Sequence, residues 1–116
     1  MTPEILALTV RDLGDTGRVL TATGEIDHDT RAAVRDAVME SVDAGRTRVV
    51  LDVAGVEFCD SGALSAFVEA HRRTEAAGGW FRLAGASGRV QLVLRLANLD
   101  RILQLRPTVA EATADL

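Results

Sequence analysis

The run Val49-Val50-Leu51-Asp52-Val53 is short and apolar, without the alternation of a half-buried strand. A strand of this kind is buried on both faces. Both faces of the sheet that holds it must then be covered by other elements. The flanking patterns say which elements. Ile5 to Arg11 is rich in β-formers and ends in Asp12-Leu13-Gly14-Asp15-Thr16-Gly17, a turn composition. Val19 to Ile26 comes next, with Leu20, Ala22 and Ile26 on one face, and the two runs predict a hairpin. Asp27-His28-Asp29-Thr30 offers several N-cap residues. Val34, Ala37, Val38, Ser41 and Val42 then recur at helical spacing, and Gly45 suits the position just past a helix end. A second helix is expected from Ser61 to Gly78-Gly79, then a strand over Trp80 to Ala84. Ser87 can cap a third helix through Val90, Val93, Leu94 and Ala97. Ile102 to Leu105 reads as a last short strand, and Pro107 to Ala114 as a short terminal helix.

Strands that alternate with helices imply right-handed crossovers and a mostly parallel sheet, which the opening hairpin makes mixed. The expected fold class is α/β, with one domain over residues 1–116 and its core over about 5–114. The sheet should have four to five strands covered by about four helices, with Val50, Leu51, Val53, Leu64, Phe67, Val68 and Leu83 at the centre.

Composition excludes several classes of function. The net charge of −4 argues against a nucleic-acid partner. No run of about 18 apolar residues occurs, and no basic-then-apolar leader, so neither a membrane span nor a secretion signal is expected. The expected location is the cytoplasm. Cys59 has no second cysteine to pair with and reads as a small buried apolar residue. Neither a zinc ligand set nor a recognisable Mg²⁺ pattern is present, so no metal or cofactor is expected.

In sheets of this type, functional loops gather at the carboxyl ends of the parallel strands. Two loops, Gly24–Thr30 and Ala54–Ser61, should therefore be neighbours, bringing Glu25, Asp27, Asp29, Glu57 and Asp60 together. Ser61 ends the second loop and opens a helix pattern of Ala63, Leu64, Phe67, Val68 and His71. Helix starts carry unpaired N–H groups and a positive dipole end, which favour an anion. A serine there can take a phosphate without loss of the fold, as a switch rather than a catalyst. Two plainer readings stay open: Ser61 is only an N-cap, or Asp60 is the cap and Ser61 the first helical residue. Asp-Ser-Gly also surrounds the nucleophile of trypsin-like proteases. This chain is far too short for two barrels, and sequence places neither His28 nor His71 beside the serine, so a hydrolase is not expected. His28 reads as an exposed loop residue and His71 as lying at a helix–sheet edge. Gly85-Ala86-Ser87-Gly88 reads as a strand-to-helix turn, and Arg72-Arg73 as a solvated face.

Two motifs carry a family resemblance. Gly24-Glu25-Ile26-Asp27 looks like the Gly-Glu-(apolar)-Asp lead into the first helix of the STAS domain family, specifically of the bacterial anti-sigma factor antagonists (anti-anti-sigma factors). Val49 to Val53, with Val56-Glu57-Phe58-Cys59-Asp60-Ser61 after it, resembles that family's strand and the apolar-Asp-Ser at its second helix. The resemblance covers roughly residues 5 to 114. Family members often read Asp-Ser-Ser-Gly-Leu, whereas here Gly62 stands directly after Ser61.

The resemblance implies a partner-switching regulator of transcription and not an enzyme. The unphosphorylated domain binds an anti-sigma factor, often a serine-protein kinase, and so frees a sigma factor. The kinase phosphorylates the serine after the Asp, the complex falls apart, and a phosphatase resets it. The matching residues are Ser61 and Asp60, and Mg-ATP would belong to the kinase. The implied partner-binding residues are Glu25, Asp27, Asp29, Glu57, Asp60, Ser61 and Gly62, an acidic edge suited to a basic surface. The alternative is a stand-alone STAS scaffold or small-ligand sensor, including the accessory subunit of a lipid-transport ATPase. Whether the chain forms a homodimer is left open by the sequence.

Overall fold

The computed structural model describes residues 6–116. Ile5, the expected start of the first strand and of the core, lies outside the described residues. The elements run β1 (Ala7–Leu13), β2 (Gly17–Ile26), α1 (Arg31–Asp43), β3 (Arg48–Cys59), α2 (Ser61–Ala76), β4 (Trp80–Ala84), α3 (Gly88–Leu96), a 3-10 turn (Leu99–Arg101), β5 (Gln104–Arg106) and α4 (Val109–Ala112). They form a single α/β domain with a five-stranded sheet in the order β1-β2-β3-β4-β5. β1 and β2 make the antiparallel hairpin, with Ala7 opposite Thr23 and Leu13 opposite Gly17. All other pairs are parallel.

The two faces of the sheet are covered unequally. Leu20, Ala22, Ile26, Val49, Leu51, Val53, Phe81 and Leu83 pack beneath Val34 and Val38 of α1, Ala63, Ala66, Phe67 and Ala70 of α2, and Val90 and Leu94 of α3. On the other face, Val19, Val50 and Ala84 meet Ala112 of α4, flanked by Leu13, Trp80 and Val109. β3 is thus buried on both faces, as its unalternated run demands, although among the described residues the second cover is one short helix.

That thin layer is latched by Arg82, which points to the α4 side and is 8% exposed. Its guanidinium donates to both carboxylate oxygens of Asp115 (2.6 and 2.9 Å), to the Ala112 carbonyl (3.0 Å) and to Gln104 Oε1 (2.9 Å). It also stacks on the Trp80 ring at 3.6 Å. The hydrogen bonds from Arg82 hold the Asp115 carboxyl down at about 2.

Four sequence expectations are corrected. β3 does not end at Val53 but continues to Cys59, so Ala54–Cys59 is strand and not loop. The inward stripe of α2 is Ala63, Ala66, Phe67, Ala70 and Thr74, while Leu64 and Val68 are only half-buried. Three alanines on that stripe let the helix lie close to its neighbours, and Leu64 and Val68 are turned to the flank. The last strand is shifted from Ile102–Leu105 to Gln104–Arg106, leaving Ile102 49% exposed. The terminal helix is shorter than Pro107–Ala114: it is Val109–Ala112, with the Thr108 hydroxyl accepting from the Glu111 N–H.

Candidate functional site

The end of β3 is shaped by two register shifts against β2. Thr21 faces Asp52, but Thr23 faces Gly55; Gly24 faces Val56, but Glu25 faces Phe58. Each shift places one extra residue on β3. Such bulges bend a strand and re-aim the residues beyond it. Gly55 sits at the first, where a Cβ would lie 3.2 Å from the Ala22 carbonyl oxygen. Glu57 is the unpaired residue of the second. Glu25 and Glu57 therefore stand on adjoining strand ends rather than in loops.

Asp60 comes directly after the bent strand and organises two segments at once. Its Oδ1 accepts from the N–H groups of Gly62 (2.8 Å) and Ala63 (3.2 Å), capping α2. Its Oδ2 accepts from the His28 N–H (3.1 Å), in the turn before α1. The two open readings are thereby resolved: Asp60 is the cap and Ser61 is the first helical residue. Ser61 is exposed. Its hydroxyl has no hydrogen-bond partner among the described residues, while its carbonyl accepts from the Ser65 hydroxyl (3.2 Å). Gly62 is held against the same turn: a Cβ there would lie 2.7 Å from His28 Cα and 2.8 Å from its nitrogen. A glycine directly after Ser61 is what this close approach requires.

Asp27 plays the matching part at α1. Its Oδ1 accepts from the N–H groups of Asp29 and Thr30, both at 3.0 Å, and from the Thr30 hydroxyl at 3.1 Å. The Thr30 N–H bond holds its carboxyl below the ordinary value. Thr30 precedes the helix but makes no side-chain cap. Asp27 and Asp60 are half-buried and committed to backbone groups, whereas Glu25, Asp29 and Glu57 are exposed. Ile26 pairs with Cys59, which gathers all these residues at one end of the sheet. Cys59 is buried, and burial, with the neighbouring Asp60 charge, pushes its thiol up to about 11. It stays protonated at neutral pH.

His28 is an exposed residue of the turn before α1, as the sequence suggests. The fold does bring it beside the start of α2, but through its backbone; its side chain is exposed. His71 lies at the edge of α2, with Nε2 3.8 Å from Glu75.

Several residues here have no surface role assigned to them by the sequence motifs that contain them. Phe58, opposite Glu25, is 43% exposed. Leu64 and Val68 line an open groove of about 560 Å³ with Ser65, Glu69, Arg72, Arg73, Ala97 and Leu99. Leu64, Ser65 and Val68 lie three, four and seven residues beyond Ser61, hence on its face of the helix. That periodicity is present in the sequence; the alanine stripe that turns this face outward is the signal that could have found the groove.

The STAS domain family model matches residues 7–112. A Thermotoga maritima protein provisionally described as an anti-sigma factor antagonist is 32% identical over 77 residues, covering 66% of this chain and 68% of its own. The crystal structure of an anti-sigma factor antagonist from Mycobacterium paratuberculosis matches with a TM-score of 0.85 at 26% identity, over 97% of this chain and 95% of that one. Bacillus SpoIIAA in its phosphorylated form matches with a TM-score of 0.72 at 21% identity, over 93% of this chain and 97% of that one. That last likeness is one of fold. No helix among the described residues is long and apolar enough to cross a membrane.

Proposed function

The chain belongs to the STAS domain family, and on that premise we propose that it works as an anti-sigma factor antagonist switched by phosphorylation at Ser61. One observation carries the switch. Ser61 opens α2 with an exposed hydroxyl that the fold does not use, because Asp60 already caps the helix. A hydroxyl free of structural duty, at an anion-tolerant helix start, is a modification site with little cost to stability.

The unphosphorylated edge binds the anti-sigma factor. Exposed Glu25, Asp29 and Glu57 steer a basic surface toward it. Asp27, Asp60 and Gly62 hold the edge in shape. Phe58 and the Leu64–Val68 groove supply apolar contact beside the charge. Phosphate on Ser61 adds roughly −1.5 to −2 charge where the partner must close. The protein acts by binding; ATP and Mg²⁺ belong to the partner kinase, and a phosphatase resets the switch.

The test is a pull-down from source lysate with wild type and Ser61→Asp side by side, then phosphosite mapping on the recovered wild type after adding Mg-ATP. A kinase-like anti-sigma factor retained by wild type alone, with phosphate on Ser61, is expected. Phosphate on Ser65, Ser87 or a threonine would overturn the site. The competing scaffold or small-ligand sensor is favoured by the groove along α2. It predicts that both forms capture the same proteins.

A further inference from the structure

A second cleft runs along the other flank of the α2 ridge. It has a volume of about 230 Å³ and is lined by Arg31 and Arg35 of α1 and by Ser65, Ala66 and Glu69 of α2. Ser65 borders both this cleft and the larger groove, so it stands on the ridge between them. Ser61 lies one helical turn before it, and residues four apart on a helix have Cβ atoms about 5–6 Å apart. The bond from the Ser65 hydroxyl to the Ser61 carbonyl spans that turn.

The charges in this cleft are poorly matched. Arg31 is in no ion pair among the described residues. Arg35 meets only its neighbour Asp36 at 3.3 Å, with both side chains exposed, and such a pair contributes little. Glu69, the acid in the lining, is engaged by Arg73 at 3.3 Å. Two arginines thus line an open cleft one turn from Ser61, Arg31 in no ion pair among the described residues and Arg35 in an exposed pair alone. Guanidinium forks bind phosphate oxygens in bidentate, charge-assisted pairs.

We propose that the α1–α2 cleft is a seat for the phosphoryl group carried by Ser61, with Arg31 and Arg35 as its cationic walls and Ser65 as a hydroxyl donor. The proposal rests on Ser61 being the phosphoacceptor. The phosphate then bends over the helix seam instead of projecting freely. Phosphorylation changes the surface in two places: it adds an anion at the acidic edge and removes two cations from the seam. Asp60 beside Ser61, Asp27 and Asp29 before α1, and Glu69 oppose the effect, and a protonated His28 would reinforce it. The decisive quantity is the difference made by the arginines.

The test installs phosphoserine genetically at position 61 of the full chain, which removes dependence on any kinase. The second ionisation of the phosphate is tracked by ³¹P NMR in the wild-type background, in Arg31→Gln/Arg35→Gln and in Ser65→Ala. The double variant should titrate about 0.5 or more above wild type, and Ser65→Ala should move less in the same direction. Coincident curves for wild type and the double variant would overturn the seat. Binding of the anti-sigma factor, read on the same samples, separates the two ideas. Retained binding with a shifted phosphate sinks the switch and leaves the seat; lost binding with coincident curves does the reverse.

Discussion

Asp60 accepts three backbone N–H groups from two segments. Loss of an N-cap side chain costs about 0.5–2 kcal/mol, and Asp60→Ala also strips the His28 N–H of its acceptor. Its urea unfolding curve should report a loss at or above the top of that range. Ser61→Asp should behave oppositely, changing stability by no more than about 1 kcal/mol because the helix start tolerates an anion. It should still bind the anti-sigma factor poorly, since the new charge must be desolvated beside Asp60. If it melts many degrees lower and affinity falls only in proportion, Ser61 is structural. Sequence cannot separate the two residues because both are good caps. What distinguishes them is His28, 32 positions before Asp60, and no local pattern reports that distance. Gly62 is legible only as an irregularity in a motif; its reason is the backbone of the same histidine.

Among the elements, α2 shows how a correct helix can be read with the wrong face inward. Its span is plain from the sequence, but hydrophobicity favours leucine and valine as core over alanine. Phe67 is fully buried and contacts the Phe81 ring with centroids 6.5 Å apart. Phe67→Ala should cost about 3–5 kcal/mol in denaturant melts. Leu64→Ala should cost less than about 1.5 kcal/mol, because its side chain is already partly in water, yet weaken partner binding more than stability. Equal losses for the two would put Leu64 back in the core. β3 shows the complementary limit. Ala54-Gly55 has turn composition, which in sequence marks the end of a strand; the bulged register lets the chain pass through a glycine and remain paired to Cys59. Strand β4, and helix α3 with its Ser87 cap, need no such long-range information and lie where their local patterns put them.

At the scale of the molecule, the α4 face depends on a pairing between residues 33 positions apart, Arg82 and Asp115. Neither residue announces the other in sequence. The Asp115 carboxyl is held at about 2 against an ordinary 3.8. Its contribution is therefore complete above the ordinary value and fades as pH falls from there through the folded value. A carboxyl-carbon NMR titration of Asp115 should show a midpoint near 2, moving up toward the ordinary value in Arg82→Gln. A wild-type midpoint at the ordinary value would dissolve the latch. The latch also fixes the whereabouts of the chain's last residues. A Cβ on Gly17 would lie 2.7 Å from the Leu116 side chain, at the start of β2, while Ser61 lies just past the far end of the parallel strand beside it. Ten residues of strand separate those ends, about 30 Å at 3.3 Å per residue. A biosensor tether or fluorophore attached after Leu116 would thus leave from the pole opposite Ser61, and immobilised molecules would present Ser61 to the flowing solution.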